Sequence, residues 1–263
     1  EYPNMPLGFI VATAASLRGD EIVLRGRSDV NTGIQLNFGG QPYDPMVEIT
    51  ASRRLDILGD TSAASSQVGV QINGSIIAAP TIEIRGISNG LGINIPNQWG
   101  YSELKAPIAT TITADAVAID PGISFAGYGT GKLLIQPDQA SFSTPVSWPS
   151  GIILDALASY TLGSATNSAT ISIDNPLTVD GAITILSPGP GGNVAINSAL
   201  TSHFGVIMAQ AGDDVMLGPD GLINSGTSAT DAVILVAGDQ FINGSVLGGE
   251  SLHLTGGGSR WLI

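Results

Sequence analysis

Residues that could do chemistry at a surface fall into a few groups in this chain. Arg18-Gly19-Asp20 is a receptor-type tripeptide. Receptor binding would require it at an exposed loop tip, holding guanidinium and carboxylate at a fixed separation. Its place between Leu17 and the apolar run Ile22-Val23-Leu24 suits a tight turn between strands. Asp213, Asp214 and Asp220 stand beside Gly212, Gly218 and Gly221, which puts carboxylates on adjacent turns. A hard cation takes about six to eight oxygens. Calcium is therefore the one cofactor to consider, although the regular glycine–aspartate spacing of calcium-binding repeats is missing and solvated turns account for the same residues. Aromatic rings cluster between prolines: Trp99 and Tyr101 within 96–107, and Phe125, Tyr128, Phe142 and Trp148 within 121–149. Trp99, Tyr101, Tyr128 and Trp148 are the candidate ligand platform, because the flat apolar face of a sugar packs on an aromatic one. The competing reading buries those rings in a small satellite core.

Cleavage of a polysaccharide needs two carboxylates facing one sugar, or a base beside a cation. Glu48, Arg53, Arg54 and Asp56 could share a face, but Arg53-Arg54 before a strand also fits opposite-facing side chains at a solvated edge. The two histidines, His203 and His253, suggest no metal pair or triad, and no glycine-rich segment matches a phosphate loop. The chain thus reads as a non-enzyme; a β-helical polysaccharide lyase or glycoside hydrolase is the alternative. Asn73-Gly74-Ser75 and Asn243-Gly244-Ser245 match the N-glycosylation pattern, yet both also serve as turns.

Strands must position all of these. Of 263 residues, 43% are hydrophobic and 12% charged, with 35 Gly and 15 Pro. The charged share is about half the usual ~25% of soluble domains. Ile, Val, Thr, Ser, Asn and Gly dominate where a helical bundle would place Leu, Glu, Lys and Arg, so an all-α fold is excluded. Net charge is -13. Leu133 to Ser259 holds no Lys or Arg, while seven of the nine basic residues lie between Arg18 and Lys105. Nucleic acid and anionic membrane surfaces are therefore not expected partners. With Cys 0, disulfides are excluded, which suits export of an unfolded chain through a narrow pore. No apolar run reaches the roughly 18 residues of a membrane-spanning helix. Residues 9–15 imitate a signal-peptide core, but Glu1 precedes them where a basic segment belongs, and the sequence reads as a fragment of a longer protein.

Short apolar beats with period two recur along the chain, among them Ile82-Glu83-Ile84, Ile171-Ser172-Ile173, Ala182-Ile183-Thr184-Ile185 and Val233-Ile234-Leu235. Each is too short for a helix, and Gly, Asn, Asp and Pro separate them. Ile72-Asn73-Gly74, Ile196-Asn197-Ser198, Ile223-Asn224-Ser225 and Ile242-Asn243-Gly244 repeat one formula, which predicts a single corner reused down a stack. That pattern favours a parallel β-helix over a sandwich whose turns all differ. The expectation is a stack of about ten coils of about 20 residues, rising ~4.8 Å each to about 50 Å. Residues 1–95 and 151–263 would form regular coils, and 96–150 would carry loop or hairpin insertions.

The phrases Asn193-Val194-Ala195-Ile196-Asn197, Gly205-Val206-Ile207-Met208-Ala209-Gln210-Ala211-Gly212-Asp213-Asp214-Val215 and Gly221-Leu222-Ile223-Asn224-Ser225, with the ending Gly256-Gly257-Gly258-Ser259-Arg260-Trp261-Leu262-Ile263, resemble the repeat region of filamentous-haemagglutinin-like exoproteins. These are secreted partners in bacterial two-partner secretion. The resemblance covers residues 169–263 clearly and 46–95 more loosely. It implies a right-handed parallel β-helix shaft, an outer-membrane two-partner-secretion transporter as partner, and a role at the bacterial cell surface or in the extracellular matrix of a biofilm. It further implies an internal shaft segment of an adhesin. Polysaccharide or host glycan, met by the aromatic insertions or the polar strand faces, is the expected ligand, and without a long apolar run no direct insertion into a membrane is expected.

Overall fold

Alternation of period two gives each strand one aliphatic face, and a chain of such strands must stack to hide it. The computed structural model describes residues 9–12, 15–29, 32–38, 47–62, 67–98 and 102–263, and it is an all-β parallel solenoid as the beats require. A single 3-10 turn, Gly248–Ser251, interrupts the strands of the described residues. Two compact units are present: residues 1–126 with 151–153, and residues 127–150 with 154–263.

In the first unit, one sheet stacks Phe9–Ala12, Ile34–Phe38, Val68–Ile72, Leu91–Ile95 and Val117–Ile119. Another stacks Ser16–Arg27, Val47–Thr61, Thr81–Ser88 and Ala109–Thr113. Val47–Thr61 is long enough to turn a corner: its first residues pair with Ser75–Ala78 and its later ones with Thr81–Ser88. Every one of these pairings is parallel, so inward side chains lie directly over one another. Ile57 sits below Ile84 and Ile112, Ile34 below Val70 and Ile93, and Ile49 below Ile77, Leu104 and Phe125.

The second unit repeats the plan on three faces. Lys132–Gln136, Ser159–Gly163, Ala182–Ser187, Ile207–Ala211, Asp231–Val236 and Arg260–Leu262 form one face. Val146–Ser147, Ile171–Ile173, Val194–Ile196, Val215–Leu217 and Phe241–Asn243 form the next. Leu177–Val179, Ala199–Ser202, Leu222–Ser225 and Leu252–Leu254 form the third. Leu133, Tyr160, Ile183, Ile207 and Val233 make one inward column; Leu177, Leu200 and Ile223 make another. No side chain of these columns, nor of those in the first unit, is more than 1% exposed. Burial of each aliphatic chain stabilises the fold by about 1.5–3 kcal/mol, a gain available only when a neighbouring coil covers it.

Two expectations about the coil are corrected. Residues hydrogen-bonded one coil apart are 23 apart at Asp180 and His203, 26 at Asp214 and the Gln240 amide, and 29 at Arg54 and Glu83. The coil is therefore longer than about 20 residues, because corners and their glycines consume chain between the strands. Nor do the four asparagines share a corner. Asn73 and Asn197 follow strand ends, but Asn224 lies inside Leu222–Ser225, paired with Thr201 and His253, and Asn243 ends a strand over Leu217. The column at the Asn197 corner is instead continued by Gly218 and Gly244, whose amides bond to Ile196 and Leu217.

In the 96–150 segment the described residues keep the coil and add a loop: Glu103–Lys105 and Ser124–Ala126 pair in parallel, residues 137–145 run between strands without joining one, and Phe125, Phe142 and Trp148 are buried, as the satellite-core reading has it. Trp148 donates its amide hydrogen to Ser172 and extends the inward column of Ile173. Its indole meets the Tyr160 ring edge-on at 5.1 Å.

Tyr160 itself is fully buried and its hydroxyl has no hydrogen-bond partner. Burial pushes its phenol well above the ordinary value. Replacing Tyr160 with Phe removes a desolvated hydroxyl that gains nothing in return, so stability should rise by about 1 kcal/mol in urea denaturation. A phenol with a raised pKa stabilises fully below its unfolded value of 10.0 and loses that contribution as pH rises through the folded value. The Phe variant should lack that alkaline loss. A drop in the urea midpoint would show that the hydroxyl has a partner.

Asp60 gives the opposite sign at the acid end. Its Oδ1 accepts the Ser62 amide hydrogen at 2.9 Å, which holds the carboxyl below the ordinary carboxylate value. A depressed carboxylate stabilises the fold above its unfolded value of 3.8, and the contribution disappears as pH falls through the folded value. Asp60→Asn should lower the melting temperature at neutral pH and flatten its fall between about pH 5 and pH 2. Parallel curves for parent and variant would contradict this.

Candidate functional site

Outward positions of the parallel strands form straight rows across the coils, so chemistry on this fold sits in columns. In the first unit, Val23 lies below Asp56, Glu83 and Thr111, while Arg25 lies below Leu58, Arg85 and Thr113. Together they line a shallow groove on the outer face. Asp56 and Glu83 stack as like charges, an arrangement that costs stability unless a cation intervenes. Arg54 intervenes: its Nε donates to Asp56 at 2.6 Å and its Nη2 to Glu83 at 2.6 Å. Those contacts, Asp56 first, hold the guanidinium pKa above its ordinary value. Arg53 points to Glu21 instead, at 3.1 Å, and Glu48 stands on the preceding stretch of the strand, paired with Ser16 and Ile76. The four residues that could have shared a face are thus divided.

Arg18-Gly19-Asp20 lies within the strand Ser16–Arg27, so it is neither a loop tip nor a tight turn. The pairing with Val47–Thr61 shifts register here, Gly19 opposite Ala51 and Glu21 opposite Arg54, which sets Ser52 and Arg53 against Asp20 alone. Ser52 donates its hydroxyl hydrogen to Asp20 at 2.6 Å, and all of the tripeptide is exposed.

Trp99 and Tyr101 lie outside the described residues. Tyr128 is 59% exposed, in the left-handed conformation at φ 53, within a turn closed by hydrogen bonds from the Thr130 and Gly131 amides to Gly127. Trp148 is 2% exposed. With its ring packed on Tyr160 it presents no open face to a sugar, and in place of a shared platform the two described rings stand in different settings.

Asp213 and Asp214 come together with Asp239, their oxygens within 4.8 Å of one another, and Asp220 lies apart in the exposed turn after Leu217. Asp214 is already engaged, its Oδ1 accepting the Gln240 amide hydrogen at 3.1 Å. Asp213 and Asp214 are half-buried and Asp239 is exposed. The two glycosylation patterns also differ in setting. Asn73 and Ser75 are buried, whereas Asn243 is exposed with its amide donating to Gly248 at 3.0 Å and Ser251 at 3.1 Å.

The second unit carries one arrangement that residue type alone did not flag. Thr201, Asn224 and His253 form one outward column on the face built by Ala199–Ser202 and its neighbours. Beside it, His203 Nδ1 meets Asp180 Oδ1 at 2.9 Å, and His253 Nδ1 meets Asn224 Oδ1 at 3.1 Å. Phe204 projects next to His203, ring centroids 6.1 Å apart. The available sequence signal was the bulky pair His203-Phe204 at a corner where neighbouring coils place glycine. Comparison with protein-family models, with curated proteins and with solved structures finds no match to this chain.

Proposed function

We propose that this chain is a structural and adhesive β-helical segment of a secreted bacterial surface protein, which attaches cells to one another, to a biofilm matrix or to a host through polysaccharide. The observation that supports this most is the unbroken superposition of aliphatic side chains within each unit, from Ile49 to Phe125 and from Leu133 to Val233. An inner coil so built is held on both sides by ladders of backbone hydrogen bonds and by covered apolar area. Rigidity is then the mechanism: the stack fixes where its outer columns stand and carries load along them. The resemblance in residues 169–263 supplies the rest of the reading: passage through an outer-membrane two-partner-secretion transporter, and residence at the cell surface or in the matrix. Absence of Cys agrees with threading an unfolded chain.

Cleavage of polysaccharide on the same fold is the competing reading, and Asp56 with Glu83 is the pair that favours it. Arg54 bonds both carboxylates at 2.6 Å, so each is engaged by the guanidinium in place of facing a sugar. Beads coated with the protein, held under flow on polysaccharide films, test the adhesive reading while the eluate is assayed for reducing ends. Retention above that of uncoated beads, without new reducing ends, is expected. Equal retention would refute adhesion; reducing ends or unsaturated products would establish the enzyme.

A further inference from the structure

We infer that the His203-Phe204 corner of the second unit binds a neutral pyranose ring of a polysaccharide, an inference that rests on the adhesive reading and gives it a site. Phe204 is 77% exposed. Glycine faces each member of the pair: Gly181 lies opposite Phe204 in the coil before, and Gly226 opposite His203 in the coil after. The His203 and Phe204 amides bond to Val179 and Asp180 in the coil before, where Gly181 follows, and Gly226 bonds to Ser202 from the coil after. A Cβ on Gly181 would stand 1.8 Å from the Ala158 carbonyl oxygen and one on Gly226 2.2 Å from that of His203, so neither neighbour can grow a side chain to cover the ring.

Beside the ring runs a groove of about 510 Å³ lined by Thr201, His203, Phe204, Asn224, His253 and Thr255. This is the pairing that sugar recognition needs: an aromatic face for the apolar side of the ring, and hydroxyl, amide and imidazole groups for its hydroxyls. The Asp180 and Asn224 contacts occupy Nδ1 of each histidine and leave Nε2 toward a ligand hydroxyl. Asp180 adds an acceptor that strengthens any hydroxyl donated to it.

Charge selects among sugars. From Leu133 to Ser259 the chain holds no Lys or Arg, and Asp180 stands beside the groove on His203, so a uronate or sulfated ring would approach a carboxylate with no Lys or Arg to compensate. A neutral ring meets no such cost. One open aromatic ledge predicts a dissociation constant of about 1 mM per site, with useful strength arising from many copies along a polymer.

Titration of the whole chain by heteronuclear NMR with neutral glucan and galactan hexasaccharides, and with a polyuronate hexasaccharide, tests this. At least one neutral probe should bind and shift His203, Asn224 and His253. Phe204→Ala should weaken it by about tenfold without changing the melting temperature, and Phe204→Trp should retain it. Neutral binding unaltered by Phe204→Ala would overturn this site while leaving the adhesive reading intact. Preference for the polyuronate would overturn the charge argument, and failure of every neutral probe while coated beads still adhere would overturn the sugar chemistry itself.

Discussion

Replacing the buried Gly86 with Val is expected to destroy the stack of the first unit. A Cβ at Gly86 would lie 1.9 Å from the carbonyl oxygen and 2.4 Å from the carbonyl carbon of Gly92. Both are backbone atoms of a strand already fixed in the ladder, so neither can step aside. Gly59 repeats the approach one coil earlier, its Cβ position 1.9 Å from the Gly69 oxygen, and Gly59 pairs with Gly86. The closeness belongs to the corner of the coil and recurs with it. Loss of more than about 4 kcal/mol follows, in the range where a marginally stable unit unfolds. Gly249→Ala is the control, because nothing lies within 4 Å of its Cβ position; its effect should stay within about 0.5 kcal/mol. Circular dichroism against urea distinguishes the two. A Gly86→Val protein unfolding at the parent's midpoint would mean that the corner is open.

Asn167→Leu should cost the second unit about 3–5 kcal/mol. The side chain is completely buried, yet its polar atoms are fully used. Oδ1 accepts from the Phe142 amide at 3.1 Å and the Ser141 hydroxyl at 3.0 Å; Nδ2 donates to the Ala169 carbonyl at 3.0 Å and the Ser187 hydroxyl at 3.2 Å. Leu has nearly the same shape and none of these bonds. It would leave the Phe142 amide hydrogen without its acceptor in a dry interior and the Ala169 carbonyl with the Ser187 hydroxyl alone, and that desolvation is the main cost. Ser187→Ala should cost about 1 kcal/mol, since Asn167 retains its other bonds. The double variant should lose less than the two single losses combined, because they share one bond. Additive losses would show that Asn167 and Ser187 act separately.

The contrast between Gly86 and Asn167 also explains what the sequence could reveal. Ile82-Glu83-Ile84 announces a strand with an aliphatic inner face, because period two is a local property. Stacking follows from it, since such strands cannot bury themselves alone. Corners obey no local rule. Asn73, Asn197, Asn224 and Asn243 follow the same residue type, Ile, yet only the coil register decides which becomes a corner and which, like Asn224, points outward from the middle of a strand. The extra length per coil is hidden for the same reason: the chain between strands is set by which glycines fit against the next backbone, a fact of three dimensions.

Sites were harder still. Trp148 and Tyr128 are both aromatics among prolines, but Trp148 falls on the inward parity of a strand and Tyr128 on a left-handed turn residue, and parity was unreadable across so many prolines. Asp213 and Asp214 met Asp239, one coil on, in place of the nearby Asp220. In a solenoid, residues 23 to 29 apart are closer neighbours than residues six or seven apart, so local clustering misleads. The setting of His203-Phe204 is not legible in the local sequence, because it depends on glycines in the adjoining coils, Gly181 and Gly226.

The central claim is that successive coils lie in parallel register, and the absence of native Cys makes it open to a clean test. Thr184 pairs with Met208, and Met208 with Ile234. Neighbouring strands lie ~4.8 Å apart, within the Cα separation that a disulfide spans, and strands two coils apart do not. Mild oxidation of Thr184→Cys with Met208→Cys should therefore yield an intramolecular crosslink, seen as faster migration on non-reducing gels. Thr184→Cys with Ile234→Cys should yield none. Crosslinking of the second pair in preference to the first, or of neither, would contradict the stacked-coil architecture.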